Sequence, residues 1–222
     1  MRYKVLEHID KFIFSSIYTS GINKKLESIL GNEQLELKIL LTNPDITKID
    51  ILEYFEYYIL EEADSVFEID EGFLGDIDQF AYEKLDTKLL SNDPRPTYAS
   101  EYIGTIGECF LGGLIDFTCR DENKSLFNSL ENPLLAWKHF RNNFLYNYWE
   151  YLYNYNEKDN SKILWNNPTD WNSWDINVFR TPKGTKYFNE ILSPRFYNKY
   201  KDLEVEIDEQ GNIIRWIGEI KR

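Results

Sequence analysis

Hydrophobic positions recur along this chain mostly at intervals of three and four residues, which is the spacing of a helix with one buried face. Val5, Ile9, Phe12, Ile13 and Ile17 predict a first helix running to about Thr19, with a second short one over 22–30 that stops at Gly31-Asn32. Leu35, Leu37, Ile39 and Leu41 alternate instead with mostly polar neighbours and predict a strand. After the break at Asn43-Pro44-Asp45, the residues Ile46, Ile49, Leu52, Phe55, Ile59 and Leu60 predict a helix as far as Ala63. Residues 66–71 alternate before Gly72 and suit a short edge strand or extended turn. A further helix is expected from Ile77 to Leu89.

Ser91-Asn92-Asp93-Pro94-Arg95-Pro96 is the most linker-like stretch, so any subdomain boundary is expected near 91–97. Beyond it, Ser100 is placed to cap a helix whose apolar stripe runs through Ile103, Ile106, Gly107, Phe110, Leu111 and Leu114. Its glycines suit a central helix packed on all sides. Asn132-Pro133 is a helix start, and Trp137, Phe140, Phe144, Tyr148, Leu152 and Tyr155 make this the longest helix expected. Residues 158–183 read as polar and irregular. A short helix follows near Thr185 to Leu192, and alternating runs at 203–208 and 213–220 flank Glu209-Gln210-Gly211-Asn212 as a β-hairpin. The expected fold is therefore a single α+β domain over residues 1–222, mainly α, with a helical body and a C-terminal antiparallel β-hairpin.

Charge changes this picture because it is concentrated. The chain has 222 residues with 25 Lys plus Arg against 38 Asp plus Glu, a formal net charge of −13. Residues 45–86 hold 14 acids and two bases, a net −12, so the rest of the chain is close to neutral. Such a balance disfavours binding through phosphate neutralisation, and hence nucleic acid as a partner. Crowded carboxylates raise their own electrostatic energy, and a cationic protein surface would relieve it. Glu53, Glu56 and Asp64, with Glu61 at the margin, lie off the apolar stripe of the 46–63 helix and are expected to face outward together. With Glu62, Glu68, Asp70, Glu71, Asp76 and Asp78 they form the candidate partner-binding set.

Other chemistry is sparse. The N-terminus shows no signal-peptide pattern and no stretch has membrane-spanning length, so a cytoplasmic location without membrane contact is expected. Cys109 and Cys119 lack zinc-site spacing and read as buried free thiols. His8 and His139 stand alone, the spacing around Gly72 fails a Ca²⁺ loop because Phe67 occupies a ligand position, and Gly104 to Glu108 lacks a phosphate-loop signature. No metal and no cofactor is therefore expected. Glu206 or Asp208 on the first hairpin strand, with Glu219-Ile220-Lys221 on the second, resembles the strand Asp and ExK triplet of PD-(D/E)xK nucleases. That resemblance spans about 20 residues and implies a metal-dependent nuclease as one alternative. Trp165, Trp171 and Trp174 among Asn and Asp suggest either a sugar-stacking platform or indoles that anchor a long loop to the core. The favoured expectation is a non-enzymatic acidic protein that neutralises a basic partner, as a bacterial toxin-immunity protein or phage-encoded inhibitor does.

Overall fold

The computed structural model describes residues 2–4, 7–9, 12–14, 43–64, 67–68, 99–145, 162–171, 175–209 and 213–222. In chain order these contain β1 (Arg2–Lys4), β2 (Glu7–Ile9), β3 (Phe12–Phe14), α1 (Lys48–Glu62), β4 (Phe67–Glu68), α2 (Ala99–Leu111) and β5 (Ile115–Cys119). Then follow α3 (Pro133–Asn143), β6 (Ile176–Arg180), α4 (Pro182–Tyr187), α5 (Ser193–Tyr200), β7 (Glu204–Ile207) and β8 (Ile213–Ile217). The fold is α+β and mainly α, with the C-terminal hairpin in place. The chain divides into two compact units: Met1–Tyr57 with Asn189–Arg222, and Tyr58–Phe188. The expected linker at 91–97, the strand at 35–41 and the helices at 22–30 and 77–89 lie outside the described residues.

In the first unit the expected N-terminal helix is replaced by strands. β1 pairs antiparallel with β7, Tyr3 opposite Val205, and β2 pairs with β3, His8 opposite Ile13. Val, Ile, Phe and Tyr dominate this segment, and all have modest helix and high strand propensity. A distant edge, β7, supplies the ladder that local spacing does not reveal. β7 also pairs with β8, Glu206 opposite Arg215, with a bulge after Glu206, giving the sheet order β1-β7-β8. Helix α1 starts on a reciprocal cap: the Thr47 N–H and hydroxyl both donate to Asp50 Oδ2 at 2.7 Å. Of its expected stripe Phe55, Ile59 and Leu60 are buried, Ile46 and Leu52 are half-buried and Ile49 is exposed, and Tyr57 stacks on Phe196 of α5 with ring centroids 4.2 Å apart. Phe196 in turn packs against Tyr200, and Leu192, Leu203 and Val205 complete this core.

The second unit holds the sheet β4-β6-β5, all antiparallel. The expected strand near 66–71 is present as β4. β6, however, falls in the stretch read as irregular, and it is the central strand. Its Ile176 and Val178 are fully buried, but three apolar residues in five alternate too briefly to stand out between Trp-, Asn- and Pro-rich flanks. Helix α2 begins at Ala99, so Ser100 sits inside the first turn and does not cap it. The helix ends at Leu111, short of Leu114, because Gly113 adopts φ +68. The Gly113 N–H then bonds to Phe110 O and the Leu114 N–H to Cys109 O, a Schellman ending. Gly104, Glu108 and Leu111 are exposed, so α2 is half-packed, not enclosed; its buried side meets Trp137, whose ring lies against Gly107.

Helix α3 starts as expected, with Asn132 Oδ1 accepting from the Leu135 N–H at 2.9 Å and Pro133 in the first turn. It ends at Asn143, with Phe144 as its C-cap, so the predicted run to Tyr155 is cut. Asn143 Nδ2 donates to the His139 carbonyl at 2.8 Å, filling an acceptor in the last turn with a side chain. Residues 146–161 lie outside the described residues.

The corner between β6 and α4 is pinned to the end of α2. Thr181 donates from its N–H to Leu114 O and from its hydroxyl to Gly113 O, and accepts from the Gly184 N–H at 3.0 Å. A Cβ on Gly184 would collide with Leu114 O, a backbone atom that has no rotamer to escape into. Gly184→Ala is therefore expected to cost roughly 2–3 kcal/mol by forcing the two backbones apart. Chemical denaturation measures this directly, and a loss below about 1 kcal/mol would contradict the close approach.

Candidate functional site

Helix α1 places Asp50, Glu53 and Glu56 at intervals of three, so their side chains advance along one flank of the helix. Helix α5 places Arg195 and Lys199 four residues apart, one turn above the other. Within the first unit these two rows interlock. Lys199 Nζ lies 2.6 Å from Asp50 Oδ1 and also pairs with Glu53. Arg195 Nε donates to Glu53 Oε1 at 2.6 Å, and its Nη2 lies 3.4 Å from Glu56 Oε2. Arg222 closes the row, with Nη2 donating to Asp50 Oδ2 at 3.1 Å and to the Asp45 carbonyl.

Burial makes this cluster costly to disturb. The side chain of Asp50 is 1% exposed, that of Lys199 10% and that of Glu53 11%. Burial on its own raises the Asp50 carboxyl pKa. Hydrogen bonds from Lys199, from the Thr47 side chain and backbone, and from Arg222 more than offset that, holding the carboxyl well below its usual range. Tyr200 sits fully buried beside the cluster, its hydroxyl without a hydrogen-bond partner among the described residues. Burial and the charges of Asp50 and Glu53 raise its pKa.

The expectation that Glu53, Glu56 and Asp64 face outward together is thus corrected for Glu53 and Glu56, whereas the Asp64 side chain is 69% exposed. Glu53 and Glu56 are bound to cations of α5, because two helices packed side by side can bring oppositely charged rows into register. Asp64 belongs to the second unit, where it pairs with the buried Arg180, whose guanidinium lies 4.5 Å over the Phe188 ring. Glu61 and Glu62 are half-buried in the last turn of α1, and Glu68 occupies β4 opposite Asn177. Asp70, Glu71, Asp76 and Asp78 lie outside the described residues. Sequence reasoning does not single out the cations that meet the acidic segment; the four-residue spacing of Arg195 and Lys199 is the only local signal they carry.

A cavity of about 590 Å³ opens beside this cluster in the first unit. Among the described residues, Arg195, Lys199, Lys201, Lys221, Arg222, Asp50, Glu53 and the exposed Ile49 line it, and Arg195, Lys199, Lys221 and Arg222 pair with Asp50, Glu53, Glu56 and Asp202.

The terminal hairpin arranges its carboxylates differently from the nuclease resemblance. Glu206 accepts from Arg215 Nε at 2.6 Å, directly across the β7–β8 pair, and this bond lowers its pKa. Lys221 pairs with Asp202, lowering that carboxyl likewise, while Glu219 is exposed. Among the described residues no three His, Cys, Asp or Glu side chains are grouped to hold a metal ion.

Trp165 and Trp171 are each 2% exposed, and their ring centroids are 5.7 Å apart. Their indole N–H groups donate to the Lys124 and Leu164 carbonyls, so they anchor their loop to the core and offer no open face to a sugar. Trp174 lies outside the described residues. His139 joins the same region, its Nε2 2.9 Å from Trp165 O and its Nδ1 3.2 Å from Asn143 Nδ2. Those distances suit a neutral ring protonated on Nε2. Cys109 and Cys119 are buried and form no disulfide; burial pushes the Cys119 thiol up to about 12, and it donates to Ile163 O. Among the described residues no helix is long and apolar enough to cross a membrane. Comparison with family models, with curated proteins and with solved structures finds no match to this chain.

Proposed function

We propose that this chain is a non-enzymatic binding protein whose acidic segment engages a cationic protein, in the way an immunity protein or phage-encoded inhibitor covers a basic toxin. The supporting observation is the net −12 of residues 45–86 within a chain of −13. Ion pairs inside the chain redistribute that charge but leave its sum unchanged, so a field of one sign persists around the molecule and steers a basic partner. Asp50, Glu53 and Glu56 serve α1 and α5; partner contact is assigned to the acids that follow them along the segment, Glu61, Glu62, the exposed Asp64, Glu68, Asp70, Glu71, Asp76 and Asp78.

The test is association with the basic protein encoded beside this gene, followed by stopped flow. The association rate is expected to fall steeply as salt is raised, and reversal of Glu68, Asp70 and Glu71 to Lys should slow it at least about tenfold. Co-expression should also relieve any toxicity of that partner. An association rate indifferent to both salt and charge reversal would remove the acidic segment from the function.

A further inference from the structure

Helix α3 buries one side and shows water an apolar stretch on the other. Ala136, Trp137 and Phe140 are buried, with the Trp137 ring lying against Gly107 of α2. Opposite them Leu134 and Leu135 are 47% and 44% exposed, and the exposed Lys138, four and three residues on, continues the same stripe. Leu130, 39% exposed, and the exposed Glu131 stand just before the Asn132 cap that opens the helix. A single exposed leucine is ordinary on a protein surface, but three within six positions form a patch.

We propose that this patch is the interface between two copies of this chain, with their α3 helices packed antiparallel about a twofold axis. The order of the residues selects this occupant. In an antiparallel pair centred between Leu134 and Leu135, each Leu134 lies level with the Leu135 of the other copy. Glu131 stands three residues before Leu134 and Lys138 three after Leu135, so Glu131 of each copy comes level with Lys138 of the other. The leucine contact is then closed at both ends by an acid facing a base, an apolar centre with a charged rim. A parallel pair would set Glu131 beside Glu131 and Lys138 beside Lys138, so charge favours the antiparallel arrangement. The net charge of the chain does not oppose contact through this segment: residues 131–143 carry Glu131 against Lys138 and Arg141, while −12 of the −13 lies in residues 45–86. The helix has 11 residues and a length of about 16 Å, which places the contact among small and weak interfaces. This inference uses α3 of the second unit and stands apart from the cationic-partner reading.

Sedimentation equilibrium of the full chain tests it, at about 0.15 M salt, where repulsion between two chains of −13 is screened beyond roughly 8 Å. The weight-average mass is expected to rise with concentration from that of one chain toward that of two, with Kd on the order of 10–100 µM. Leu134→Ser combined with Leu135→Ser should raise Kd at least about tenfold with an unchanged circular dichroism spectrum, since both side chains already reach water in the single chain. Glu131→Lys sets two like-charged pairs across the axis and should raise Kd at least about threefold; adding Lys138→Glu should restore the parent value, because the pairs form again with their signs exchanged. A chain that stays monomeric up to about 500 µM, or a leucine variant that associates as the parent does, would overturn the interface. No change on Glu131→Lys, or a loss that Lys138→Glu does not reverse, would overturn the antiparallel pairing.

Discussion

Lys199→Met is expected to destabilise the protein by about 3 kcal/mol, because it removes the shared partner of two carboxylates that are almost out of reach of water. Breaking a buried pair from one side costs roughly 3–5 kcal/mol, most of it the penalty of a charge left without compensation. The lower end applies here, since Asp50 keeps Arg222 and Thr47, and Glu53 keeps Arg195. Adding Asp50→Asn to Lys199→Met should recover more than about 1 kcal/mol, since the orphaned charge is then gone.

The same cluster governs the acid limb of stability. Asp50 has a folded pKa well below that of an unfolded Asp, about 3.9. Below that value the unfolded chain takes up a proton that the folded one refuses. The contribution of Asp50 is thus complete above roughly pH 5 and is lost as pH falls toward its folded pKa. Lys199→Met raises the folded pKa and should flatten this part of the limb. Urea denaturation at neutral pH and through the acid range reads both effects. A variant within about 1 kcal/mol of the parent, with an unaltered acid limb, would show that the cluster is not integral to the fold.

Phe140→Ala is expected to cost about 4 kcal/mol in the second unit. Its ring is fully buried, with centroids 4.7 Å from Phe117, 5.2 Å from Phe144, 6.1 Å from Trp165 and 6.0 Å from Trp171. Truncation removes apolar area and also leaves a space that rigid aromatic neighbours fill poorly, so the cavity adds to the transfer loss. Phe140→Leu keeps part of the volume and should cost less than half as much. Near-ultraviolet circular dichroism should weaken in the Ala variant, because Trp165 and Trp171 lose the ring they pack against. A cost under about 2 kcal/mol, with that spectrum intact, would place the centre of this core elsewhere.

Features written within a few residues are legible in the amino-acid order itself. The start of α3 at Asn132-Pro133 is written in adjacent residues, and the helical repeat of α1 and the alternation of β7 and β8 are local periodicities. Where two periods compete, locality misleads: the apolar residues near the N-terminus satisfy helical spacing, yet the strand propensity of Val, Ile and Phe and the waiting edge of β7 decide the outcome. Helix ends escape periodicity where a single backbone angle or side-chain bond sets them, as at Gly113 and Asn143.

The candidate site divides along the same line. That the charge is negative, and that −12 of it lies in residues 45–86, is a property of covalent order and needs no fold. Which of those acids face cations is not, since Glu53 meets Lys199 across 146 positions and Arg195 across 142. Sequence alone determined the sign and place of the charge, the mixed and mainly helical class, and the hairpin at the end. Tertiary structure alone decided that Asp50, Glu53 and Glu56 bind inward and that Trp165 and Trp171 are core. Periodicity and composition are carried by neighbours along the chain, whereas ion pairs and cavities depend on distances that only packing sets.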